Sequence, residues 1–304
     1  MSFGHLIPIV EIRVINRLNL GSGNQNLRAG SSVWYECLTC TPADLARFRE
    51  FLAVDLRRSG ETAVEKVRYV RKFLEAIGKD KVSREDIREY LKGLKGEATY
   101  RNCLAALKVF FRDFCNMPEL VQSFRFPASQ FKPKEVLTRE DLRRFYEAIE
   151  SEIGKALFLF YATSGLRKNE VLSLKPRDAD LSKRMVTPQC HNGNTKHSYL
   201  SFYNEETETM LRRIRRDPRR LFNIGERQYK RIWREAAAKS GVNITPKKLR
   251  VWFCSEMAML GVSDSYINAF CGRTPKSVLA KHYLDYSPEK LKLIYEKANL
   301  KALA

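Results

Sequence analysis

The chain has 304 residues, 44% hydrophobic and 11% aromatic, enough apolar side chain for about two cored domains and too much for global disorder. Lys and Arg number 55 against 35 Asp and Glu, a formal net charge of +20. Such an excess points to a polyanion, DNA or RNA foremost, because each neutralised phosphate releases condensed counterions. The longest apolar run, Ala156 to Ala162, is far short of the ~20 residues that span a bilayer, and seven scattered cysteines do not form the dense even framework of a secreted disulfide scaffold. An intracellular protein without a membrane span is expected.

Residues 1–40 mix short apolar runs with Gly21, Gly23 and Gly30 and receive no assigned role. Cys37 and Cys40 within them have metal-ligand spacing, but no second Cys or His pair follows at finger-like distance, so no metal site is expected. From Thr41 the pattern becomes helical. Thr41-Pro42-Ala43-Asp44 supplies a cap, a proline and an acid for a helix expected to stop at Ser59-Gly60. A second helix carries Val64, Val67, Phe73, Leu74 and Ile77 up to Gly78, a third starts at Ser83, and a fourth runs from about Thr99 to Cys115. Residues 41–116 therefore predict a small all-helical domain with many bases on its polar faces.

Residues 117–137 hold Pro118, Pro127 and Pro133 without a sustained period and read as a linker. A second domain, 138–304, opens at the cap Thr138-Arg139-Glu140-Asp141, followed by a very apolar helix from about Glu152 to Thr163. Asp178 to Gln189 and Ser198 to Phe202 predict short strands around the Asn192-Gly193 turn, and everything after Asn204 reads as helical. The fold class is mainly α with a small β-sheet: an all-helical domain plus an α+β domain.

Several basic residues in the second domain stand beside local structure able to hold them. In Thr163-Ser164-Gly165-Leu166-Arg167-Lys168-Asn169-Glu170 a glycine turn delivers Arg167 to a helix start, where a planar guanidinium can fork onto two phosphate oxygens. Further on stand Thr245-Pro246-Lys247-Lys248-Leu249-Arg250, then Cys271-Gly272-Arg273-Thr274-Pro275-Lys276-Ser277, then Tyr283. In this order the boxes resemble those of the tyrosine recombinase (phage-integrase) family, and especially integrases of archaeal viruses and plasmids. Arg167 and Arg250 match the two invariant arginines, Glu170 matches the acid of the first box, Lys247 stands in place of the usual histidine, and Arg273 stands where His or Trp is usual. Lys196, after the Asn-Gly turn, matches the family's hairpin lysine; Lys183 is the weaker candidate. Tyr283 lies one residue beyond the usual spacing for the nucleophile, with Tyr286 as competitor.

The resemblance implies an all-helical core-binding domain and a catalytic domain that together clamp double-stranded DNA. It also implies a site-specific recombinase that cuts through a 3′-phosphotyrosyl intermediate. Arg167, Arg250 and Arg273 would neutralise the transition state, Tyr283 would attack phosphorus, Lys196 would protonate the leaving 5′ oxygen, Lys247 would assist, and Glu170 would orient the basic groups. No cofactor and no catalytic metal are expected. The partners implied are DNA attachment sites and a tetramer of this chain formed on them, in the cytoplasm of the host cell at its nucleoid. Arg212, Arg213, Arg215 and Arg216, within a stretch of six arginines in ten residues, and Lys248 are expected to touch phosphates. A type IB topoisomerase would use a similar Arg, Lys and Tyr set, and an inactive DNA-binding regulator would keep the fold without the chemistry. The last helix, capped by Ser287-Pro288-Glu289, can pack on its own domain or on a neighbouring chain.

Overall fold

The computed structural model describes residues 42–79, 82–128, 136–189, 200–214, 217–273 and 277–304. The expectations for residues 1–40, Cys37, Cys40, the Asn192-Gly193 turn, Lys196, Arg215 and Arg216 lie outside the described residues. Two compact units divide between Pro127 and Ala128.

In the first unit, α1 (Pro42–Val54), α2 (Gly60–Ile77), α3 (Arg84–Lys92) and α4 (Glu97–Lys108) surround one core. The first helix ends at Val54, short of the expected Ser59, because Ser59 caps the next helix instead: its Oγ accepts the N–H of Thr62. Gly78 closes α2 in the left-handed region at φ 60°, and Ser83 with Asp86 forms a reciprocal capping box at α3. The fourth helix continues as a π-helical turn, Val109–Phe114, and both Phe110 and Phe111 are buried there. Phe110 meets Phe48 edge-on at 5.0 Å, and Phe111 meets Phe73 at 5.9 Å. The start of the expected linker belongs to this core, since Leu120 and Val121 are buried within it and Arg101 Nη2 donates to the Pro127 carbonyl at 3.0 Å. The prolines of that stretch break the helical period without removing its apolar side chains from the core.

In the second unit, α5 (Arg139–Ala148) begins at a Thr138/Asp141 capping box and packs on α9 (Glu226–Ser240). The apolar run forms α6 (Glu152–Ser164), buried at every residue from Ala156 to Ser164 and packed between α8 (Glu205–Arg213) and α10 (Pro246–Met259). A helix apolar on all sides is stable only when covered on all sides, so α6 organises the unit. Between α6 and α8 lie the short α7 (Lys168–Ser173) and a three-stranded antiparallel sheet, β1 (Ala179–Asp180), β2 (Met185–Val186) and β3 (Ser201–Phe202). Asp178 to Gln189 is thus a hairpin of its own, because the Asp180 carboxylate accepts the N–H groups of Ser182 and Lys183 and turns the chain, with Arg184 at φ 50°. Arg184 then bridges Glu205, Glu208 and Glu296 at 3.2 to 3.6 Å, joining the hairpin to α8 and to the last helix.

The remaining helices are α11 (Asp264–Phe270), α12 (Val278–His282) and α13 (Pro288–Ala298). The last of these packs on its own unit through Leu291, Tyr295 and Ala298. The tail beyond it is held as well: Asn204 donates to the Leu300 carbonyl at 3.0 Å, and the Glu206 carboxylate accepts the N–H groups of Ala302 and Leu303. The buried Tyr295 hydroxyl donates to the Thr163 carbonyl at 2.7 Å, at the end of α6. Tyr295→Phe should cost about 1–2 kcal/mol in urea unfolding, since a buried carbonyl loses its donor while the ring packing stays.

Candidate active site

The site begins where α6 ends. Gly165 sits at φ 65°, and a Cβ there would lie 2.5 Å from the Phe253 ring of α10, so both conformation and space require glycine. The turn places Arg167 as the cap of α7, where Glu170, 8% exposed, binds it twice: Oε2 accepts the Arg167 backbone N–H at 2.7 Å and Oε1 accepts Nη1 at 2.6 Å. The acid therefore fixes both the backbone and the guanidinium of one arginine.

Arg250, one turn inside α10, reaches back to the same region. Its Nη1 donates to the Gly165 carbonyl at 2.7 Å and its Nη2 to the Cys271 carbonyl at 2.5 Å. The next carbonyl, that of Gly272, accepts Arg167 Nη2 at 3.3 Å. Gly272 makes this possible by adopting φ 56° after α11, which turns the chain sharply and exposes successive carbonyls. Arg273 follows immediately; its backbone N–H and its Nη1 both reach Asn268, at 2.9 and 3.0 Å, and its Nη2 points at the Cys254 sulfur at 3.8 Å. Residues from three boxes thus meet on one loop. Each guanidinium has five N–H donors, so donors remain after these bonds for an anion. Burial depresses the Arg250 pKa, and the charges of Arg167 and Arg273 add to the depression, the signature of a cationic cluster.

The other expected residues are placed differently. Tyr283 is the C-cap of α12, 75% exposed, and no hydrogen bond links its phenol to the arginines among the described residues. Tyr286 is half-buried against the core, its ring 5.8 Å from that of Tyr266, and burial pushes its phenol up. Lys247 and Lys248 are exposed in the first turn of α10, where Lys248 Nζ donates to the Asn243 carbonyl at 2.8 Å. Lys247 precedes Arg250 by one turn and so shares its face. Arg212 and Arg213 are exposed at the end of α8, with Arg212 bridged to Glu208. Among the described residues no group of three or more His, Cys, Asp or Glu side chains could hold a metal.

The carbonyls of Gly165, Cys271 and Gly272, with Asn268 and Cys254, were not singled out by the motif reading. The local signal for them is a glycine two residues before Arg167 and one immediately before Arg273. Gly165→Ala should destabilise the protein by about 2–5 kcal/mol in denaturant titration, combining a left-handed φ with overpacking. Adding Phe253→Leu should recover the steric part and leave the backbone part.

Comparison with known proteins fits this arrangement. Residues 134–297, more than half of the chain, match the family model for archaeal phage integrase. The tyrosine recombinase XerA of Thermococcus kodakarensis is 26% identical over 210 residues, covering 64% of this chain and 73% of the relative. That of Thermococcus onnurineus is 25% identical over 251 residues, covering 76% and 87%. Among solved structures, a lambda integrase dimer bound to a COC′ core site aligns with a TM-score of 0.59 at 17% identity, over 80% of this chain and 95% of that one. The Tn1549 transposon integrase in complex with circular intermediate DNA aligns with a TM-score of 0.56 at 15% identity, over 83% and 99%. At those identities the solved structures establish a shared fold, whereas the family match carries the assignment: the chain belongs to the archaeal phage integrase family of tyrosine recombinases, enzymes that cut and rejoin DNA at specific sites through a covalent phosphotyrosyl intermediate.

Proposed function

We propose that Arg167, Arg250 and Arg273 clamp the scissile phosphate of a double-stranded attachment site and that Tyr283 attacks it. The observation that carries this reading is that the Arg167 and Arg250 guanidinium groups both bond carbonyls of the Cys271–Gly272 turn, the turn that Arg273 directly follows with its own guanidinium held by Asn268. A phosphodiester under attack gathers charge on its non-bridging oxygens, so fixed cations that need no reorganisation lower the barrier most. The Tyr283 phenolic oxygen bonds to phosphorus as the bond to the 5′ oxygen breaks, and that oxygen takes a proton from Lys196. The phenol releases its proton to solvent as its oxygen bonds to phosphorus, a loss that neighbouring cations, Lys247 among them, favour. Glu170 is a positioning residue for Arg167. The exposure of Tyr283, against the packed ring of Tyr286, supports the former as nucleophile.

The covalent bond conserves the phosphodiester energy, so a 5′-hydroxyl from a second strand reverses the attack without ATP. Exchange between two sites needs four active chains, and we infer a tetramer on paired attachment sites in the host cytoplasm, at the nucleoid. Lys248, Arg212 and Arg213, together with Arg215 and Arg216, serve as phosphate-binding groups that position the duplex without reading its bases.

Nicked suicide duplexes carrying the attachment site, or a library of sites, should trap a protein–DNA adduct in the presence of chelator. The adduct should persist in Tyr286→Phe and vanish in Tyr283→Phe, and Arg250→Ala should lower its rate by about 10²–10³. An adduct lost only in Tyr286→Phe would move the nucleophile to that residue, and tight binding without any adduct would leave a DNA-binding regulator. Replacing Arg212 or Arg213 by Ala should lower the slope of log affinity against log salt by about 1 per arginine removed, equally on all sequences.

A further inference from the structure

Cys254 and Cys271 stand among the arginines without a part in the scheme above. Their sulfurs are 3.5 Å apart and both thiols are free. Cys254 lies one turn after Arg250 on the same face of α10 and is partly exposed, whereas Cys271, the C-cap of α11, is fully buried. Each cysteine is tied to a different guanidinium: the Cys254 sulfur accepts from Arg273, and the Cys271 carbonyl accepts from Arg250. We propose that Cys254 and Cys271 form a thiol–disulfide modification site, reactive toward low-molecular-weight disulfides, whose closure disables the arginine cluster. The proposal rests on the reading of that cluster as the phosphate clamp.

The geometry assigns the two sulfurs different tasks. Cys254, accessible and flanked by Arg250 and Arg273, attacks the disulfide RSSR and forms a mixed disulfide while one RS⁻ leaves and takes up a proton. Cys271, already within reach, then attacks the Cys254 sulfur and expels the second thiol. The two protein thiols lose two electrons and two protons, the small disulfide gains both, and two RSH are released. The Cys254 thiol is held below its ordinary range by the S–H of Cys271, which donates to it, and then by the Arg273 and Arg250 charges, which favours it as attacker.

Closing the bond from 3.5 Å draws the sulfurs together by about 1.5 Å, to the S–S length of ~2.05 Å. Disulfide geometry also constrains the Cβ positions, and a shift of the Cys271 backbone to meet it carries along the Cys271 and Gly272 carbonyls, to which Arg250 and Arg167 are bonded. Arg273 at the same time loses the Cys254 thiol as its acceptor. One bond therefore displaces three cations whose joint placement sets the rate.

The test treats the full chain with oxidised glutathione, blocks remaining thiols by alkylation, maps disulfides by peptide mass, and measures adduct yield on the suicide duplex before and after dithiothreitol. Wild type should show the Cys254–Cys271 peptide pair and lose about a hundredfold in adduct rate, the scale expected for misplacement near 1 Å, with recovery on reduction. Cys254→Ala, compared with its own reduced state, should be insensitive to the oxidant, whereas Cys271→Ala should stop at the Cys254–glutathione mixed disulfide and yield no peptide pair. Failure of the pair to form, or a pair that leaves the adduct rate unchanged, overturns the proposal while reduced wild type still forming adduct upholds the recombinase assignments. Reduced wild type without adduct, on DNA it binds, overturns those assignments and the switch with them, whatever the mapping shows.

Discussion

The second unit depends on one constraint: a half-buried arginine must find acceptors. Arg250 leaves most of its solvation on entering the unit, and the carbonyls of Gly165 and Cys271 replace it. Those two carbonyls belong to chain turns separated by more than a hundred residues, and Gly272, next to the second, receives Arg167. The same bonds that make the guanidinium tolerable inside the protein therefore register the first, second and third boxes against one another. Site geometry and local stability are one property here, and both glycines at the turns adopt the positive φ that a residue without a Cβ reaches at least cost.

A chain with a charge of +20 must keep its own cations from repelling one another apart. Its acids are deployed accordingly. Asp86 and Asp141 close capping boxes at helix starts, Glu170 holds Arg167, and Arg184 is surrounded by Glu205, Glu208 and Glu296. Exposed pairs such as Arg88–Glu85 contribute little to stability. Glu170 acts instead by fixing both the backbone and the guanidinium of Arg167. Glu206 serves differently, accepting two backbone N–H groups of the C-terminal tail and so keeping that tail on its own unit.

The contrast between the two tyrosines follows from the helices that carry them. Tyr286 precedes the cap of α13, the helix anchored through Tyr295 to the end of α6, and its ring is drawn into the packed surface. Tyr283 ends a helix of five residues, whose Val278 and Leu279 are exposed beside it. Reorientation of Tyr283 therefore disrupts little of the core, which agrees with the nucleophilic role proposed for it.

Local physics alone accounts for what the residues determined directly. Caps at Ser83, Thr138 and Ser287 act over three or four positions, the apolar run of α6 needs no partner to be recognised, and arginines beside glycine turns are visible as motifs. The division of Asp178 to Gln189 into a hairpin depended on one Asx turn that alternating apolar residues do not reveal, and the reach of the first core to Val121 depended on packing that prolines disguised in the sequence. Only the tertiary structure decided that the arginines of the first two boxes bond the Cys271 and Gly272 carbonyls of the third, that Asn268 holds Arg273, and that two thiols meet at 3.5 Å. The reason is the range of the forces involved. Caps and helical periods are written within a few residues, whereas a carbonyl acceptor is a backbone group that every residue carries, and only the packed chain determines which arginine finds it.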